Sequence, residues 1–200
     1  MAKSCKIITL HVQIEDIEPP IWRRIAVDGD ITLRMLHHIL QAAFGWTDSH
    51  LHEFTIAGTS YQMLDNENVL EFLNPRSATP IDDDRKARLQ RLVEPGQQFI
   101  YTYDYGDSWR HIIKVEAIEM QDEPMYCAKI LDGKRAAPPE DVGGPPGYVN
   151  FVDTIANHCD SEEAVDYLSW VGGEFDPEQF DRRTANNTLA RMAWNGWGKK

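Results

Sequence analysis

Between Phe99 and Ile118 the chain reads Phe-Ile-Tyr-Thr-Tyr-Asp-Tyr, then Gly106-Asp107-Ser108, then Trp-Arg-His-Ile-Ile-Lys-Val-Glu-Ala-Ile. Nothing else in the sequence constrains the fold as tightly. Both arms are rich in β-branched and aromatic residues, and a Gly-containing turn parts them, so the segment is a β-hairpin. Upstream, Ile8, Leu10, Val12 and Ile14 alternate with Thr9, His11 and Gln13, the period-two pattern of a half-buried strand. After Pro19-Pro20, Ile21, Arg23, Ile25 and Val27 alternate with Trp22, Arg24 and Ala26 as a second strand, which ends at Asp28-Gly29-Asp30. Thr32 is placed to cap a helix whose apolar stripe is Leu33, Leu36, Leu40 and Phe44, with Gly45 where a C-terminal cap belongs. Leu51–Ile56 and the segment around Tyr61 complete a strand-strand-helix-strand-strand order. That order predicts an α+β fold with a β-grasp-like unit, the central hairpin and a helical, acidic C-terminal part.

Asp82-Asp83-Asp84 followed by Arg85-Lys86-Ala87-Arg88-Leu89-Gln90-Arg91 predicts a short helix with its charges arranged to suit the helix dipole. A further strand is expected around Ile130. Pro138-Pro139-Glu140-Asp141-Val142-Gly143-Gly144-Pro145-Pro146-Gly147 reads as a rigid loop, and helices are expected near 147–157, 161–170 and 184–194.

Charge restricts the function classes. The net charge is −12, from 20 Lys+Arg and 32 Asp+Glu. Residues 136–181 hold eleven of the acids and no Lys or Arg, so the other 154 residues are close to neutral. An acidic surface repels phosphate backbones and anionic lipid, which disfavours nucleic acid as a partner without closing that option. No stretch approaches the ~18 consecutive apolar residues of a membrane span, and a signal peptide is not expected. Three widely spaced cysteines (Cys5, Cys127, Cys159) without a CxxC pair predict reduced thiols and a cytoplasmic protein. GxGxxG, P-loop, HExxH and GxSxG signatures are missing.

The chemistry-bearing residues form a small set. His50 and His52, two apart on an expected strand, would share a face and suit one borderline cation, or else sit half-buried beside the core. Asp104, Asp107 and His111 surround the hairpin turn, with Tyr103, Tyr105 and Trp109 beside them. Asp107 is also an ordinary turn residue, and Trp109 an ordinary core residue. The functional alternative joins His50, His52, Asp104, Asp107 and His111 to Glu140 and Asp141 of the proline-rich loop in one pocket that holds a divalent metal or a polar ligand. Trp22 and Arg24 share a strand face and can stack together or flank a base.

Five blocks resemble one bacterial and archaeal family: Pro19–Arg24, Gly45–Phe54, Tyr103–His111, Pro138–Tyr148 and Phe175–Asp181. It is the Ri-plasmid open-reading-frame-three-like family, also called insertion-element passenger TnpR-like proteins. The resemblance implies an α+β fold, and, being spread along the chain, a single domain over residues 1–200. It also implies a Cys at the position of Ala137, as a partner to Cys127, which this chain lacks. A two-thiolate metal site from that pair is therefore not available. No serine-recombinase arrangement accompanies the TnpR-like label. The function expected is a plasmid- or transposon-associated cytoplasmic accessory or binding protein without established catalysis. The alternatives are a metal-dependent hydrolase using the His/Asp/Glu set, and a protein-interaction module using the acidic face.

Overall fold

The computed structural model describes residues 4–64 and 79–197. Strands β1 (Cys5–Ile14) and β2 (Trp22–Asp28) form an antiparallel pair with Leu10 opposite Ile25. Ile8, Leu10, Val12 and Ile14 are completely buried on one face, and Thr9, His11 and Gln13 are half-buried on the other. Helix α1 (Leu33–Phe44) lies over the buried face. Its start is set by the Thr32 hydroxyl, which accepts the Met35 N–H at 3.1 Å, and its end by Gly45 in the left-handed region (φ 77°). Leu33, Leu36, Leu40 and Phe44 are buried as the spacing predicts, and His37 and Gln41 are buried with them.

Strands β3 (His52–Ile56) and β4 (Thr59–Gln62) make a tight hairpin, and β5 (Ile81–Asp83) runs parallel to β4. The central hairpin is β6 (Gln98–Tyr103) and β7 (Trp109–Gln121), and β8 (Lys129–Lys134) pairs with β2. The order across the sheet is β5-β4-β3-β6-β7-β1-β2-β8. With the four helices found among the described residues, this is an α+β fold.

Two expectations are corrected. The β-grasp-like unit is not formed: β6 and β7 stand between the β1–β2 and β3–β4 hairpins, which never touch as neighbours. The strongest β segment of the chain takes the middle of the sheet, where its alternate residues are buried. Nor do residues 85–91 form the predicted helix. The Ala87 carbonyl accepts the Leu33 N–H, Leu89 N–H donates to Ile31 and Gln90 N–H to Gly29. The backbone is thereby committed to the entrance of α1, and only one 3-10 turn, Leu89–Arg91, remains. A seven-residue helix is too short to resist such competition.

Helix α2 (Gly144–Asn157) begins inside the expected loop, because prolines at its first positions give up N–H groups that a helix start leaves unpaired anyway. Helix α3 (Glu162–Trp170) packs on α2 through Phe151, whose ring meets Tyr167 at 5.2 Å and Trp170 at 6.4 Å. Helix α4 (Arg182–Trp194) covers the edge strand β8. The Asn186 amide accepts from the Ile130 N–H at 2.9 Å and donates to the Ile130 carbonyl at 3.0 Å, standing in for a missing strand. No helix among the described residues is long and apolar enough to cross a membrane.

Candidate functional site

Three segments meet beyond the C-terminal end of α1: the loop after Gly45, the β6–β7 turn and the proline-rich segment. Trp46 ties them together. Its ring stacks on Tyr103 at 5.1 Å, and its indole N–H donates to the Pro138 carbonyl at 2.9 Å. Glu140 then latches the loop: one oxygen accepts from the Tyr103 hydroxyl at 2.5 Å, the other from the Thr47 N–H at 3.0 Å and the Thr47 hydroxyl at 2.5 Å. Burial first, and this carboxylate second, push the Tyr103 hydroxyl well above the ordinary tyrosine range. Asp107 holds the other end of the loop by accepting the Gly143 N–H at 3.1 Å. A Cβ on Gly144 would collide with the Asp107 carbonyl oxygen, so glycine is required at that close approach.

This latch sets three side chains against one another. Asp104 has a left-handed backbone (φ 57°), and its Oδ1 accepts the Gly106 N–H at 2.9 Å. The turn leaves Oδ2 facing His50 Nε2 at 3.7 Å. Asp141, also left-handed (φ 61°), brings Oδ1 to 3.1 Å from the same nitrogen. His50 Nε2 is shielded from solvent, yet makes no hydrogen bond: Asp104 Oδ2 lies beyond bonding distance, and Asp141 Oδ1 is near enough but misdirected. One imidazole nitrogen and two carboxylate oxygens lie within 4.8 Å of one another, a donor set able to hold a divalent cation. Beside it opens a cleft of about 290 Å³, bordered by Arg34, Asp48, His50, His52, Gln62 and Tyr105. A larger opening, of about 640 Å³ between the start of α1 and α4, is bordered by Arg85, Arg88 and Cys127 but by none of the His, Asp and Glu residues expected in one pocket.

A second polar cluster lies deeper. His37 and His52 stack face to face with ring centres 3.6 Å apart. His37 Nε2 is 2.6 Å from Asp48 Oδ1, and His52 Nε2 is 2.9 Å from Asp84 Oδ2. Burial lowers both imidazoles and outweighs the attraction of the carboxylates, taking His37 down to about 3. The neutral ring still donates its N–H, so Asp48, which burial alone would raise, is held well below the usual range by its bond to His37 and by the adjacent His38 ring.

Of the residues expected in one pocket, the structure brings together His50, Asp104 and Asp141, with Glu140 and the Tyr103 hydroxyl alongside. Asp107 lies across the same loop as a latch. His52 borders the same cleft as His50 but does not join its ligand atoms: its Nε2 goes to Asp84, and β3 begins only at His52, so the alternation that would align the two rings does not reach back. His111 is fully buried, its Nδ1 against the Trp109 carbonyl at 3.0 Å and its ring edge-on to Phe44 and Trp46. Burial takes it down to about 4. Trp109 is core. Trp22 and Arg24 sit on the opposite face from α1, where Arg24 pairs in bidentate fashion with Glu116 (2.7 and 3.0 Å) and Trp22 stacks on His11 at 5.2 Å.

The residue pattern did not single out His37, His38 or Asp84. A signal existed for one of them: His37 falls four residues after Leu33 and three before Leu40, on the face destined for burial.

A family model described as plasmid pRiA4b ORF-3-like protein matches residues 6–184. The uncharacterized protein y4hQ of Sinorhizobium fredii is 35% identical over 185 residues, 90% of this chain and 86% of that protein. The crystal structure of a protein of unknown function, MM3350 from Methanosarcina mazei Go1, is similar with a TM-score of 0.75 and 32% identity. It aligns over 90% of this chain and 97% of its own.

Proposed function

The chain belongs to the plasmid pRiA4b ORF-3-like family, and from that premise we propose that it is a binding protein whose ligand site is a divalent cation held by His50, Asp104 and Asp141. One observation carries the reading: a solvent-shielded His50 Nε2 without a hydrogen bond, 3.1 and 3.7 Å from two carboxylate oxygens. A buried polar atom left unmade is costly, and a cation would satisfy it. Three protein ligands leave coordination positions for a polar ligand entering from the 290 Å³ cleft. Binding is favoured over hydrolysis because Glu140, the adjacent carboxylate suited to act as a general base, is fully engaged by Tyr103 and Thr47. The cellular role proposed is a cytoplasmic accessory protein carried with plasmids and other mobile elements, working as one domain. Its support is the plasmid in the family's description and a match that runs along most of the chain.

Equilibrium dialysis against Mn²⁺ and Zn²⁺ with elemental analysis tests the site. Asp141→Asn and His50→Ala should each bind one equivalent fewer than the native protein. Unchanged stoichiometry in both would sink the proposal.

A second reading, a protein partner on the acidic face, is favoured by α3, which exposes Val165 (58%) and Trp170 (48%) beside Glu162, Glu163 and Asp166. Charge reversal at Glu162 and Glu163 should release a partner recovered by pull-down; a partner retained by that variant argues against this face. For nucleic acid, Arg24 is already neutralised by Glu116, which weakens that reading further.

A further inference from the structure

We propose that His37, His38 and Asp48 form a second cation site, separate from the first and selective for a transition metal such as zinc. Two consecutive histidines of α1 turn toward one carboxylate in the loop that follows the helix. His37 Nε2 lies 2.6 Å from Asp48 Oδ1, and His38 Nδ1 lies 3.3 Å from Asp48 Oδ2. His38 Nδ1 is shielded from solvent and makes no hydrogen bond. The three ligand atoms fall within 4.8 Å of one another. Bonds of 2.0–2.2 Å in a tetrahedral site place neighbouring ligand atoms about 3.4 Å apart, so closing around an ion needs only small side-chain movements.

The surroundings are those of a built site. His37 Nδ1 meets the Tyr101 hydroxyl at 2.8 Å, Gln41 Nε2 donates to the same hydroxyl at 3.1 Å, and Gln41 Oε1 accepts the Asp48 N–H at 2.9 Å. Ligand His37 and ligand Asp48 are thus oriented by a common outer ring of contacts, the arrangement that fixes metal-binding imidazoles. Loading requires His37 to carry its proton on Nδ1, donating to the Tyr101 oxygen, so that the Nε2 lone pair faces the ion; no net proton is lost. Two imidazoles and one carboxylate favour a borderline cation over Mg²⁺ or Ca²⁺. Asp48 borders the 290 Å³ cleft, which offers the fourth ligand position to water.

Trp197 supplies a reporter, since its ring packs edge-on to His38 at 6.2 Å. Titration with Co²⁺ in excess Mg²⁺ should quench tryptophan emission, and Trp197→Phe should remove that quenching while leaving Co²⁺ binding intact. His38→Gln and Asp48→Asn should abolish the quenching. Tyr101→Phe should weaken binding roughly 10–100-fold, and Asp141→Asn, which disables the first site, should leave it unchanged. Native Co²⁺ affinity in both folded variants, His38→Gln and Asp48→Asn, overturns the proposal. So does quenching that is lost in Asp141→Asn alone, which would assign the ion to the first site instead.

Discussion

The two histidine–carboxylate clusters are neighbours in sequence, bridged by Asp48-Ser49-His50, but their physics differs. The inner one (His37, His52, Asp48, Asp84) carries its imidazoles on α1 and β3 and its carboxylates just after α1 and β5, with side chains that are mostly buried; Asp84 has no exposed surface at all. Its hydrogen bonds are short and largely complete, and burial keeps its imidazoles neutral. The outer one (His50, Asp104, Asp141) stands on loops, with two aspartates in left-handed conformations and the Asp141 side chain 69% exposed. Regular elements therefore create order and a fixed protonation state. Loops latched from behind, here by Glu140 and Asp107, leave ligand atoms unfulfilled at a cleft.

The largest test of that contrast is truncation of one acid from each cluster. Asp84→Ala strands His52 and Arg34 without their buried partner and should cost roughly 3–5 kcal/mol. The same change at Asp141 should cost about 0.5 kcal/mol or less. Urea unfolding measures both, and equal losses would erase the distinction.

Acidification should discriminate next. His37 (about 3), His111 (about 4) and His52 all have folded values below the ordinary 6.5. The unfolded chain therefore binds more protons below about pH 6.5, and stability should fall as pH drops from there toward 4. Each such histidine contributes a slope of up to ~1.4 kcal/mol per pH unit. Chemical denaturation from pH 7 to 5 should show it, and His111→Leu should flatten it. A flat native profile would mean that the inner imidazoles take up protons freely in the folded state.

Tyr103→Phe removes a hydrogen bond to a carboxylate and should cost about 1.5–3 kcal/mol. Because that bond anchors the loop bearing Asp141, the variant should also lower cation affinity at the outer site, readable by the same dialysis. Full affinity in Tyr103→Phe would show that the latch does not organise the site.

Much of the secondary structure was legible. Alternation located β1 and β2, and β-branched and aromatic runs about a Gly-containing turn located β6 and β7; Thr32 and Gly45 marked the ends of α1 to the residue. For the candidate site, residue types near turns drew attention to His50, Asp104 and Asp141, but they were read together with His52, Asp107 and His111. Those three could not be separated by sequence, since a His two residues from another, or beside a turn, carries no mark of whether it faces a cleft or a core. His38 and Asp84 gave no periodic clue whatever.

What the sequence determined by itself is local: which segments are strands, where α1 starts and stops, and where acidic charge collects. These follow from side-chain alternation, capping and composition, all of which act over a few residues. Only the tertiary structure decided that β6–β7 would separate the two hairpins, that residues 85–91 would serve the entrance of α1, and that Asp104 and Asp141 would meet at His50. Such choices depend on which distant surfaces bury the most apolar area with their polar groups paired, and that is a property of the assembled core rather than of any one segment.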